Sequence, residues 1–259
     1  MRNDLIIVAK EILESRYPDA KVLFLAGSIV RGEGTPDSDL DLVVIFRSLP
    51  QAYRESFYFR RFPVEAFVHD LETLNYFLFD VDGPAGIPAL AQMILEGIEH
   101  PEPSEFSESV KQLAASVIKA GPPVLSDEEV RRMRYNVTSL LDDLRHPRSR
   151  DELLACGAQL YEVLADYYFR TNNLWSAKGK AIPRILKRAD ADLCARYCKS
   201  FEELLRSGQA EELIALAEEL LVPKGGFLFD GQRLNAPVDH RKPLPATIRT
   251  AGPEREKEG

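Results

Sequence analysis

The chain has 259 residues, 45% hydrophobic and 29% charged, which is enough for one large domain or two modest ones with buried cores. No apolar run reaches the roughly 18 residues of a membrane-spanning helix, so no membrane partner is expected. The net charge of −8 argues against a general nucleic-acid binder, because phosphate contacts need a concentrated positive surface. That charge is uneven. Residues 1–105 hold 9 Lys+Arg against 18 Asp+Glu, and the remainder 24 against 23, which points to different jobs for the two parts.

In chain order, Asp4 to Arg16 has helical spacing, is too quickly interrupted by Lys10, Glu11 and Glu14 for a signal peptide, and ends at Tyr17-Pro18-Asp19. Lys21 to Ala26 is a short apolar run ahead of a glycine and reads as a buried strand. Leu40 to Phe46 and Phe62 to Val68 read as two more strands, and Leu71–Phe79 and Ile87–Ile98 as helices. This order predicts an α+β unit with a small mixed sheet over residues 1–103. From residue 104 to 222, apolar positions at helical spacing follow one another over about 104–120, 127–145, 150–171, 180–187, 190–206 and 209–222, which predicts a helical bundle. Residues 223–259 turn to Gly, Pro and charge. They are expected to form a tail, with Gly225–Phe229 packed on the body and disorder from about residue 240. Three cysteines leave no even disulfide set, so a reducing cytoplasm is the expected location. Cys194 and Cys198 lie one helical turn apart with no second pair nearby, and read as structural.

The most informative stretch runs from Leu23 to Val44. A buried strand ends at Gly27-Ser28, where the glycine allows a tight turn and close approach of a ligand. The N–H groups of a helix starting there, with the Ser28 hydroxyl, would cradle a phosphate. A Gly-rich loop from Gly32 to Ser38 then leads into Asp39-Leu40-Asp41. Positions two apart on a strand share a face, so Asp39 and Asp41 place two carboxylates side by side while Leu40 and Leu42 face the core. Such a pair is unfavourable without a cation, and a hard divalent ion, Mg²⁺ first, suits it. An isolated Asp-x-Asp would be read as a solvated turn. The strand-Gly-Ser element a dozen residues upstream changes that reading.

The run Gly27-Ser28-x-x-Arg31-Gly32-x-x-x-x-x-Ser38-Asp39-x-Asp41-Leu42 resembles, without a gap, the signature of the DNA polymerase β-like nucleotidyltransferases, in the form shared by minimal and antibiotic nucleotidyltransferases. The resemblance covers residues 5–70 well and the helical part loosely. It implies that Gly27 and Ser28 hold a triphosphate, that Asp39 and Asp41 bind two Mg²⁺ ions, and that a third carboxylate stands on a neighbouring strand. Glu65, inside the apolar run Pro63–Val68, is the candidate, as metal ligand or as the base that takes the acceptor's proton. Asp70, where a helix N-cap would fall, reads as a cap. Arg31 matches the motif's arginine and is a nucleotide-binding candidate that could equally hold the loop. Thr35 and Ser38 shape the turn, with Ser38 also counted among the nucleotide-binding candidates.

Between Asp166 and Asp190 lie six basic residues (Arg170, Lys178, Lys180, Arg184, Lys187, Arg188), no acidic one, and the single Trp, Trp175. A triphosphate beside three carboxylates needs positive charge, so Lys178 and Lys180 are the candidates to reach its β- and γ-phosphates. Trp175 reads first as a core anchor. The expected activity is therefore transfer of a nucleoside monophosphate, AMP from ATP or another NTP, to a hydroxyl of a small molecule, with release of pyrophosphate. The acidic N-terminal part favours a cationic acceptor of the aminoglycoside type. Two alternatives stand beside it: a protein adenylyltransferase of antitoxin type, and a nucleotide- or partner-binding module without catalysis. A ribonuclease of the kind paired with minimal nucleotidyltransferases is disfavoured, because the one Arg–His pair at its spacing, Arg233 and His240, lies in the tail. A homodimer is compatible with the sequence, which says nothing further on assembly.

Overall fold

The computed structural model describes residues 2–35 and 38–244. The expected disorder of the tail beyond residue 244 lies outside the described residues. An opening helix, α1 (Arg2–Arg16), is followed by β1 (Val22–Ala26), the one-turn α2 (Gly27–Val30), β2 (Leu40–Ile45) and the hairpin of β3 (Tyr53–Phe59) and β4 (Phe62–His69). Next come α3 (Leu71–Tyr76), a π-helical stretch (Phe77–Asp82), α4 (Gly83–Ala85), α5 (Ala89–Glu96) and β5 (Ile98–His100). The strands form one mixed sheet in the order β3-β4-β2-β1-β5, with β2 and β4 parallel and the other neighbours antiparallel.

Strand alternation divides the sheet between two cores. Leu23 and Leu25 of β1, Leu40, Leu42 and Val44 of β2, and Val64, Ala66 and Val68 of β4 point to one face. There they pack on Leu5, Val8, Ala9 and Ile12 of α1. Val22 and Phe24 of β1 and Val43 and Ile45 of β2 point to the other, where Leu74, Leu78, Leu90 and Ile94 cover them. The helix α6 (Glu105–Ala120), expected to belong with the helical part, brings Val110, Ala114 and Val117 to this second core. Because β2 is buried on both sides, its odd-numbered positions are interior as well, and Asp41 stands at the end of the row that contains Val43 and Ile45.

Sheet and helices agree with the α+β expectation, with two corrections in detail. The strand β3 was not foreseen, and the helix expected over 87–98 stops at Glu96, after which Ile98–His100 pairs as an edge strand with β1. Both have physical reasons. The β3–β4 hairpin turns on Arg60-Arg61, with Arg60 held at φ 54, so the usual Asn-Gly signal of a tight hairpin is missing. The short β5 is an antiparallel edge whose three residues are all half-buried, too little for a pattern.

The remaining helices are α7 (Asp127–Arg145), α8 (Arg150–Thr171), α9 (Ile182–Ala189), α10 (Ala191–Ser207) and α11 (Glu211–Leu221), with a 3₁₀ turn over Gly179–Ala181. Each long helix opens on a side-chain cap: Ser126 for α7, Ser149 for α8 and Asp190 for α10, each worth about 1 kcal/mol. Their core joins Val137, Leu141, Leu160, Leu164, Phe169, Leu186, Tyr197, Phe201 and Leu204. Gly157 allows α8 to meet α10, since a Cβ there would stand 2.6 Å from Leu204 Cδ2. After α11 the chain returns along α7. Leu228 is buried, its N–H donates to Thr138 Oγ1 at 3.1 Å, and Arg134 donates to the carbonyls of Gly225 and Gly226. No helix among the described residues is long and apolar enough to cross a membrane.

The helical region is tied to the sheet unit at several points. The Ser176 N–H donates to the Gly86 carbonyl at 2.7 Å, and Trp175 packs on the core beneath the sheet. Arg184 of α9 pairs with Glu33 at 3.3 Å, and Arg188 with Glu96 at 3.8 Å. These contacts bring the basic segment after α8 to the carboxylate end of the sheet.

Candidate active site

The site is built at the start of β2. Parallel pairing of β2 with β4 sets Asp41 directly opposite Glu65, and antiparallel pairing with β1 sets it opposite Ala26, the residue before Gly27. Asp39 precedes the strand on the same face. Carboxylate oxygens of Asp39, Asp41 and Glu65 all lie within 4.8 Å of one another. At that separation two carboxylates repel by roughly 3–4 kcal/mol at an effective dielectric of about 20, so the cluster calls for a proton or a cation. Asp41 shows the cost. Burial first, then the charges of Asp39 and Glu65, push its carboxyl up to about 6, against the opposing pull of Lys180 and Arg31. A cluster of oxygen donors this close, with one member pushed up by burial and by its neighbours' charges, fits a hard divalent cation such as Mg²⁺.

Gly27 has φ +82, and a Cβ there would fall 1.9 Å from Asp41 Oδ2. The glycine is therefore required twice, for its left-handed backbone and for the space that the Asp41 carboxylate occupies. Beyond it α2 makes one turn, and the Ser28 hydroxyl donates to Ser38 Oγ at 3.4 Å. Ser38 Oγ accepts from the Thr35 N–H at 2.8 Å, which closes the turn ahead of Asp39. Ser28 and Ser38, expected to share a nucleotide site, do converge, and the turn-shaping role of Ser38 is explicit.

Arg31 is engaged elsewhere. Its Nε donates to Glu33 at 3.0 Å and its Nη1 pairs with Glu96 at 3.5 Å. Glu33 also takes Arg184, so the loop is fastened on one side to α5 and on the other to α9. Lys180, in the 3₁₀ turn, is exposed and close enough for its charge to act on Asp41. Lys178 is exposed, and its side chain has no hydrogen-bond or ion-pair partner among the described residues. Asp70 caps α3, accepting from the Thr73 N–H at 2.9 Å, as expected.

One residue of the site was not anticipated. Arg54 of β3 forms an ion pair with Glu65 and stands over the Phe67 ring at 4.9 Å. It lies diagonally from Glu65 on the same face, since β3 sets Ser56 opposite Glu65 and Arg54 opposite Phe67. Its only sequence signal would have been the alternation of Ser56 and Tyr58 with Phe57 and Phe59 in a strand whose first residues, Tyr53-Arg54-Glu55, hide the pattern. The network Glu33–Arg184 and Glu96–Arg188 was likewise not foreseen, because pairing over such separations depends on tertiary placement.

Comparison with known proteins agrees with this geometry. Residues 6–78 match the family model described as the nucleotidyltransferase domain, a stretch that includes β1, α2, β2 and β4 with Gly27, Asp39, Asp41 and Glu65. The N-terminal part of the chain is thus a nucleotidyltransferase domain of the polymerase β-like superfamily. The helical region lies outside that match. No curated protein matches the chain. Among solved structures, a nucleotidyltransferase-like protein from Exiguobacterium sibiricum 255-15 aligns over 85% of this chain and 75% of its own, at 17% identity and a TM-score of 0.43. That likeness is too loose to carry any argument about substrate.

Proposed function

We propose that this protein is a metal-dependent nucleotidyltransferase that transfers AMP from ATP to a hydroxyl of a small, cationic acceptor and releases pyrophosphate. The observation that carries the reading is the meeting of Asp39, Asp41 and Glu65 beside Gly27, in a segment that matches the nucleotidyltransferase domain. Divalent cations, when bound there, would supply charge stabilisation for both the attacking and the leaving oxygen.

The chain's own residues divide the remaining work. Asp39 and Asp41 hold the cations, and Glu65 either completes that shell or accepts the acceptor's proton. The acceptor oxygen attacks the α-phosphorus, the bond to the β-phosphate bridging oxygen breaks, and pyrophosphate leaves in line. The α2 N-terminus and Ser28 orient the triphosphate, and Lys180, with Lys178 beside it, neutralises the departing pyrophosphate. Arg31 and Ser38 serve through the loop they shape. Arg54 is a positioning residue that sets the Glu65 carboxylate.

The acceptor would lie between the carboxylate end of the sheet and the segment carrying Lys178 and Lys180. The test is pyrophosphate release from Mg·ATP by the full chain with aminoglycosides, lincosamides and candidate protein acceptors. Release that requires both a small-molecule acceptor and an intact Asp41 is the expected result. Release only with a protein acceptor would replace the small-molecule reading. Absence of turnover together with ATP affinity indifferent to Asp41→Asn would overturn the enzymatic one.

A further inference from the structure

A second charged cavity lies in the helical region and belongs to none of the machinery above. It has a volume of about 490 Å³ and is walled by the start of α7, the end of α8 and the turn after α11. Arg131, Arg134, Arg170 and Lys224 line it, against one carboxylate, Asp127. None of the four cations has an ion-pair partner among the described residues. The hydrogen bonds of the three arginines go to neutral carbonyls instead: Arg131 to Gly231 at 3.1 Å, Arg134 to Gly225 at 2.8 Å and to Gly226, and Arg170 to Pro123 at 3.3 Å. No carboxylate pairs with them at close range, although the Arg170 charge acts through space on Glu129.

Arg170 is the decisive member. It is only 9% exposed, and its Nε is buried without a hydrogen-bond partner. Burying an arginine is costly unless a counter-charge or full hydrogen bonding offsets it. Gly86 makes room for this side chain, since a Cβ there would stand 2.1 Å from Arg170 Nη1. The fold thus accommodates a buried cation at the wall of an open, basic cavity. Val124, Leu125 and Val130 add an apolar part to the lining.

We infer that this cavity is a binding site for a phosphate-bearing small molecule, separate from the carboxylate centre. Four cations against one carboxylate suit a dianion or a more highly charged group better than a single carboxylate. Arginine forks match phosphate oxygens in geometry. The volume falls in the range of small-molecule pockets, and the apolar part of the lining would take the organic body. The inference does not depend on the carboxylate centre being catalytic.

The test is calorimetric titration of the full chain with inorganic pyrophosphate in EDTA, which disables any metal-bridged binding at Asp39 and Asp41. Arg131 and Lys224 are the exposed members, so Arg131→Gln and Lys224→Gln serve as probes, with melting curves to verify folding. Each substitution is expected to weaken binding by about tenfold or more, the loss of one charge-assisted contact. Lys224→Gln keeps the test open should Arg131→Gln unfold, because the Lys224 side chain makes no hydrogen bond or ion pair among the described residues. Lys119→Gln, on an exposed residue of α6 outside the cavity lining, is expected to leave the binding unchanged. Absence of binding at millimolar pyrophosphate would overturn the assignment. So would equal affinity in the Lys224→Gln protein, or an equal loss in the Lys119→Gln protein.

Discussion

The sheet end and the basic segment facing it are held in opposite ways. Asp41 and Glu65 are set by strand register: each is a half-buried position in a paired strand, and neither can move without breaking the ladder. Lys178 and Lys180 are exposed, on a loop and a 3₁₀ turn, joined to the rest by Ser176 and by ion pairs through α9. The negative half of the site is therefore preorganised at a cost in repulsion, and the positive half is exposed, with lysine side chains that no ion pair fastens among the described residues. A ligand that carries both phosphates and cations would satisfy the first by charge and the second by contact. Such a division puts reaction chemistry in the rigid part and leaves selectivity to the adjustable one.

The largest effect that tests this contrast is loss of a register-held carboxylate. Asp41→Asn or Asp39→Asn should lower turnover by about a thousandfold or more, read as pyrophosphate release under saturating Mg·ATP. Unchanged activity in either variant would remove the residue from the chemistry. Gly27→Ala should follow at about a hundredfold, because the added Cβ must displace the Asp41 carboxylate from a point 1.9 Å away. Lys180→Gln is expected to cost about tenfold in kcat/KM, shared between a lower kcat and a raised KM for ATP, since this lysine both meets the triphosphate and neutralises the departing pyrophosphate. A loss as large as that of Asp41→Asn would mean that the positive half is as rigidly placed as the negative.

The repulsion at the carboxylates also makes a stability prediction. The folded-state Asp41 carboxyl sits near 6, above its ordinary value of 3.8. Its contribution to stability is therefore fully present below about pH 4 and is lost as the pH rises through 6. Between pH 4 and pH 7.5 in EDTA the unfolding free energy should carry a falling component of about 1–2 kcal/mol, discounted for the solvent that reaches this half-buried group and read as a falling melting temperature. Asp41→Asn should remove that component and stabilise the metal-free protein at pH 7.5. Mg²⁺ should likewise flatten the profile. A wild-type profile indistinguishable from that of Asp41→Asn would show that the three carboxylates are not strained together.

Much of this was legible in the residues, for identifiable reasons. Gly27-Ser28 and Asp39-x-Asp41 were readable because strand periodicity and glycine freedom act locally, and Glu65 because a carboxylate inside an apolar run needs an explanation. The long helices α7 and α8 were visible in their spacing, down to residues 127–145 and 150–171. What spacing does not convey is the neighbour. Nothing local in α6 says that Val110 and Val117 pack beneath the sheet, and nothing in Arg54 says that it reaches Glu65. The β3 hairpin escaped because Arg60 adopts a left-handed backbone that sequence patterns assign to Gly or Asn.

The smallest effect concerns how the two halves are coupled. Glu33 is shared by Arg31 of its own loop and Arg184 of α9, and Glu96 by Arg31 and Arg188. These pairs are partly exposed, so each is worth less than about 1 kcal/mol to folding. Their value lies in register: they hold the loop that follows Ser28 against the helix that follows Lys180. Arg184→Gln should leave the melting temperature nearly unchanged and raise KM for ATP by about two- to fivefold, with the wild-type KM drifting toward the variant's as salt is added. An Arg184→Gln protein that melts much earlier, with unaltered KM, would mean that these ion pairs brace the fold and leave the site alone. The contrast between a rigid carboxylate half and an adjustable basic half would then rest on the lysines themselves.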